Sequence, residues 1–106
     1  MKKSPNDIIA IYYNSWVIND KSSARKQLVD NLIFRSTNGE YDTADAFMDT
    51  CWPFSVYFTE FKLLHEVYGD DKAYIIYPLD KIYIGEFINF KDAKISKIYV
   101  SFNPTL

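Results

Sequence analysis

Glu86, His65, Cys51 and Tyr12 are the residues of this chain whose types and surroundings could support chemistry. Glu86 stands between Gly85 and Phe87 in a run that reads as a strand, in phase with Ile88 and Phe90. If that phase faces the core, burial disfavours the carboxylate and raises its pKa, which makes it a candidate acid or base. If the strand is shifted by one residue, the same Glu is a solvated surface acid, because side chains alternate between faces. His65, the only histidine, shares strand phase with Phe61, Leu63 and Val67 and could supply a base near neutral pH. The commoner role for such a histidine is a satisfied side chain in the core or at a sheet interface. Cys51, the only cysteine, has no base beside it in sequence and reads as a small buried hydrophobe rather than a nucleophile. Tyr12 falls on an apolar helical face, where the ring packs and the hydroxyl sits at a boundary or in a pocket.

The same counts narrow the function classes. One cysteine and one histidine leave no disulfide within the chain and no Cys- or His-rich metal site, so neither a metal nor a cofactor is expected. A lone thiol and the absence of an apolar core after Lys2-Lys3 fit a cytoplasmic protein. The net charge is −2, and the basic cluster Lys21, Arg25 and Lys26 is flanked by Asp20 and Asp30. That pattern is a solvated helix face and gives no nucleic-acid footprint. The apolar run from Ile8 to Ile18 is interrupted by Asn14 and Ser15 and falls short of the roughly 20 residues of a membrane span. The unusual quantity is aromatic content, 18% of residues, which calls for an apolar pocket or an aromatic oligomer surface.

Short, Gly- and Pro-poor connections must position these side chains within one domain, expected over residues 1–106. Ser4 reads as an N-cap, with Pro5 at the first helical position and Asp7 as a capping-box acid. Ile8, Ile9, Tyr12, Tyr13, Trp16 and Val17 then recur at helical spacing. A second helix, capped by Ser22 or Ser23, is expected through Val29. Leu32-Ile33-Phe34 reads as a short strand ending at the turn Thr37-Asn38-Gly39. Asp42 or Thr43 caps a third helix that Pro53 ends. Strands rich in Tyr, Phe, Ile and Val are expected at about Val56–Tyr68, Lys72–Leu79, Lys81–Phe90 and Lys94–Phe102. Helices first and a meander of strands afterwards is an α+β pattern, with helices on one face of an antiparallel sheet.

Three stretches carry a family resemblance: Tyr12-Tyr13-Asn14-Ser15-Trp16 followed by Asn19-Asp20, then Asp30 through Ser36, then Lys94-Ile95 with Ile98, Val100 and Phe102. In order and spacing, from about Ile8 to Pro104, the chain resembles the nuclear transport factor 2-like superfamily, which includes SnoaL-like cyclases and steroid Δ-isomerases. Ala93 stands where that family commonly has Gly, and Asn103 where it often has Asp. The resemblance implies a cone-shaped, cystatin-like fold in which a curved sheet wraps the first helix around a pocket. It also implies roles. Tyr12 falls at the position of the isomerases' oxyanion tyrosine, Glu86 at that of their oxyanion acid, and Ser36 at that of their general base. A hydroxyl cannot take a proton from carbon near neutral pH, so the match keeps the hydrogen-bonding groups and lacks the base.

Three functions remain open at this level. The first is binding of a small apolar or carbonyl-containing molecule in a pocket lined by Tyr12, Trp16, Phe34, Ser36, Phe47, Trp52, Tyr77 and Glu86. The second is a proton-transfer enzyme of isomerase, cyclase or dehydratase type using Tyr12 and Glu86 with His65. The third is an interaction module, a homodimer formed through the sheet.

Overall fold

The computed structural model describes residues 3–58 and 60–104; Lys2 and the ends of the expected domain span lie outside them. Helix α1 spans Pro5–Val17. Its start is the expected capping box: the Asp7 amide donates to Ser4 Oγ at 3.3 Å while the Ser4 amide donates to the Asp7 carboxylate at 3.4 Å. Ile8, Ile9, Tyr12, Tyr13 and Trp16 are buried along one side of it. Helix α2 is shorter than expected, Lys21–Lys26, and its cap is Asp20, whose carboxylate accepts from the Ser23 amide at 3.1 Å. It cannot run to Val29, because the Gln27 carbonyl accepts from the Ile95 amide at 2.7 Å and Leu28 already pairs with Ile95.

Strand β1 therefore covers Leu28–Ser36 and turns into β2, Gly39–Tyr41. Thr43 caps α3, Ala44–Cys51, accepting from the Ala46 amide at 3.1 Å. A 3₁₀ helix follows at Trp52–Phe58. The expected strand from Val56 is thus corrected: only His65–Tyr68 forms β3. Phe58 is buried against Tyr13, Trp16 and Tyr77, so the segment's aromatics complete the core from a helical turn instead of a strand.

Strands β4 (Lys72–Leu79), β5 (Ile82–Lys91) and β6 (Lys94–Asn103) form the expected meander. The curved, unclosed sheet has the order β2-β1-β6-β5-β4-β3, antiparallel except for β1 beside β6. Strand alternation sends Ala73, Ile75, Tyr77, Ile84, Glu86, Ile88 and Ile98 inward, toward α1. The β5–β6 turn has positive φ at both Asp92 (54°) and Ala93 (60°), the pattern of a tight hairpin turn. Alanine there accepts about 1–2 kcal/mol of local cost that glycine would avoid.

Candidate functional site

Between α1, α3, the 3₁₀ helix and the inner face of the sheet lies a cavity of about 550 Å³, a size that suits a small organic molecule. Its walls are mostly apolar and rich in aromatic rings. Helix α1 contributes Tyr12, Tyr13 and Trp16, and the far wall is the stacked pair Phe34 and Phe47, 4.6 Å between ring centres. Phe54 and Tyr57 reach the mouth and are more than half exposed. Asp80 and Lys81, on the β4–β5 turn, stand at the same opening.

The polar end is built by three elements. Strand phase turns Glu86 inward between Ile84 and Ile88, leaving it 6% exposed. The Tyr13 hydroxyl, from α1, donates to Glu86 Oε1, and the Tyr77 hydroxyl, from β4, donates to Glu86 Oε2. Burial pushes the Glu86 carboxyl above the ordinary carboxylate range, and these two hydrogen bonds oppose the shift without cancelling it. The phenols respond in kind: burial first, then the neighbouring Glu86 charge, holds Tyr12, Tyr13 and Tyr77 protonated well beyond an ordinary tyrosine.

Tyr12 lines the same end, and among the described residues its hydroxyl makes no hydrogen bond. The Trp16 indole N–H lies near that hydroxyl, outside hydrogen-bonding geometry, and is buried without an acceptor. Cys51 lines the cavity half-buried, and burial pushes its thiol up, with the nearby Tyr41 hydroxyl opposing the shift only in part. Among the described residues no three His, Cys, Asp or Glu side chains converge. No helix of the described residues is long and apolar enough to cross a membrane.

Seven of the eight residues expected at the pocket line this cavity: Tyr12, Trp16, Phe34, Ser36, Phe47, Tyr77 and Glu86. Trp52 does not. As the C-cap of α3 its ring packs against Trp16, 4.6 Å between centres, and lies outside the lining. His65 is also corrected. It pairs with Ile76 on the outer face of an edge strand, is exposed, and cannot join Tyr12 and Glu86 as a base. Ser36 donates to the Gly39 carbonyl at 3.3 Å and accepts from the Asn38 amide at 3.1 Å, closing the β1–β2 turn.

Sequence reasoning missed Tyr13 as the partner of Glu86, although it shares the apolar face of α1 with Tyr12. The Tyr77–Glu86 contact had a signal in the hairpin. With Leu79 opposite Ile82, Tyr77 falls opposite Ile84, and Glu86 is the diagonal neighbour on the same face.

No protein-family model and no curated protein matches this sequence. Solved structures do match it in shape. A Kribbella flavida protein superposes with a TM-score of 0.82 at 22% identity, covering 93% of this chain and 86% of its own. A nuclear transport factor 2-like protein of unknown function from Cytophaga hutchinsonii gives 0.80 at 13% identity, over 98% and 94% of the two chains. A candidate ketosteroid isomerase, also from Kribbella flavida, gives 0.73 at 9% identity, over 93% and 77%. The chain has the nuclear transport factor 2-like fold. Within that fold it is an α+β cone whose cavity ends in a carboxyl held by two tyrosines.

Proposed function

We propose that this protein binds a small, predominantly apolar molecule in the aromatic cavity, with the molecule's polar group at the Tyr12–Glu86 end. The observation that carries this reading is an apolar cavity of about 550 Å³ whose polar groups cluster at that end. The free Tyr12 hydroxyl offers a hydrogen bond to an acceptor such as a carbonyl oxygen, and the aromatic walls supply the apolar contact. Cys51 provides the test, since it is the only cysteine and lines the cavity. Saturating 2-acetylnaphthalene, a planar ketone, is expected to slow alkylation of Cys51 by N-ethylmaleimide about tenfold at ten times its dissociation constant. An alkylation rate that stays the same at saturation would sink the assignment.

A second reading, homodimerisation, is favoured by the outer face of the sheet. Val67, Tyr74, Phe87 and Tyr99 are register partners across four strands and are all exposed, Val67 at 67%. Gly85 leaves room for the Tyr74 hydroxyl, which would lie 2.7 Å from any added Cβ. A contiguous apolar row of this kind marks an interface. We infer that two copies pair through it. Sedimentation of the native protein should give a dimer and Phe87→Arg a monomer, with 2-acetylnaphthalene binding retained. A native protein that sediments as a monomer at about 100 μM, well above the micromolar dissociation constants of standard-size interfaces, rules the pairing out.

A further inference from the structure

Among the described residues, Glu86 is enclosed without a cation beside it. The ion pairs of the described residues, Lys21–Asp49, Arg25–Asp30, Arg25–Asp45 and Arg35–Asp42, lie at the surface. Lys81, the basic side chain that lines the cavity, stands exposed at its mouth. Buried carboxylates ordinarily face a cation or a metal, because an isolated charge is costly away from water. Two tyrosine hydroxyls bond Glu86, one to each oxygen, while a carboxylate has about four acceptor sites, so two remain.

The surroundings are those a cation seeks. Tyr12, Tyr13, Tyr77 and Phe58 surround this end of the cavity, and aromatic faces attract ammonium groups through their quadrupoles. These tyrosines cannot supply an anion or a competing cation of their own. The Asp80 carboxyl, next to Lys81 in the β4–β5 turn, keeps the entrance from being wholly basic.

We propose that the polar end of the cavity takes a small organic cation, a protonated amine on an apolar frame, with Glu86 as counter-charge and the aromatic rings as its cage. This rests on the reading of the cavity as a ligand site. An acceptor atom elsewhere on the same ligand, such as a carbonyl oxygen, would meet the free Tyr12 hydroxyl.

The test compares 2-(2-naphthyl)ethylamine with 2-(2-naphthyl)ethanol, which differ in the charged head group, with 2-acetylnaphthalene as reference. Titration calorimetry near pH 7 is expected to show the amine binding about tenfold more tightly than the alcohol. Glu86→Gln, which keeps size and shape, should abolish that preference. Should the variant fold poorly, the native protein's pH profile decides. The groups facing Glu86 are Tyr12 and Tyr13 from α1, Tyr77 from β4 and Cys51 from α3, all held protonated by burial. Amine binding should therefore weaken as acid protonates Glu86, while alcohol binding does not. An alcohol that binds as tightly as the amine, or a preference that survives Glu86→Gln, overturns the cation assignment while ketone binding keeps the cavity reading. Failure of all three probes to bind overturns the cavity reading and this inference with it.

Discussion

Replacing Tyr77 by Phe is expected to destabilise the protein by about 2–3 kcal/mol near pH 9 and by roughly half as much near pH 4, read from urea unfolding midpoints. The ring itself is preserved, so its packing against Phe61, 4.9 Å between centres, is retained and the lost element is the hydroxyl. That hydroxyl donates to one oxygen of a buried carboxyl. Hydrogen bonds to charged groups contribute about 1.5–3 kcal/mol, and those between neutral groups about 0.5–1.5. The difference between the two conditions is thus the signature of an ionisable acceptor. The variant can limit its loss by keeping Glu86 protonated, which raises its pKa further. Tyr13→Phe should behave alike, because Tyr13 serves the other oxygen. The double variant should cost less than the sum, since both act through one carboxyl. An equal cost at both pH values would show that the hydroxyl matters for packing alone, and the account of the cluster would fail.

How much of this arrangement could be read from the sequence depends on whether local signals decide it. Capping is local: Ser4, Pro5 and Asp7 set the start of α1, and the structure forms that box. Strand phase is nearly local: Ile84, Glu86 and Ile88 turn inward because their period of two matches one buried face. The second helix is not local, because Leu28 is drawn into the sheet by Ile95, a residue 67 positions away along the chain. The stretch from Phe54 to Phe58 has strand-like composition and becomes a 3₁₀ helix, since its rings are needed across the cavity rather than along a sheet. His65 shows the limit of phase arguments. Its neighbours in phase are apolar, yet β3 is an edge strand and that phase points to the outer face. Tyr12 and Tyr13 both turn inward from one helix face, and which of them meets Glu86 is set by how α1 sits on β5. The sequence carries no marker of that angle.

Glu86→Gln is expected to flatten the stability profile of the protein between about pH 4 and pH 9, and to make it more stable than the native chain at the upper end. The direction follows from the raised pKa of Glu86 in the folded state. A carboxyl with a folded pKa above its unfolded value of about 4.3 favours the neutral form in the native state. Its contribution is complete below that unfolded value and is lost as pH rises toward the folded value. The loss is about 1.4 kcal/mol for each unit by which the pKa is raised. Glutamine has no charge to bury; its carbonyl can accept from one tyrosine and its amide can donate to the other hydroxyl's oxygen. Both proteins should lose stability again above about pH 10, where the unfolded chain's phenols ionise while Tyr12, Tyr13 and Tyr77 remain protonated in the native state. Urea midpoints of the two proteins across this range check the claim, and parallel curves below pH 9 refute it. Charging Glu86 destabilises its own fold, and the proposed cationic ligand at this end of the aromatic cavity would offset that cost.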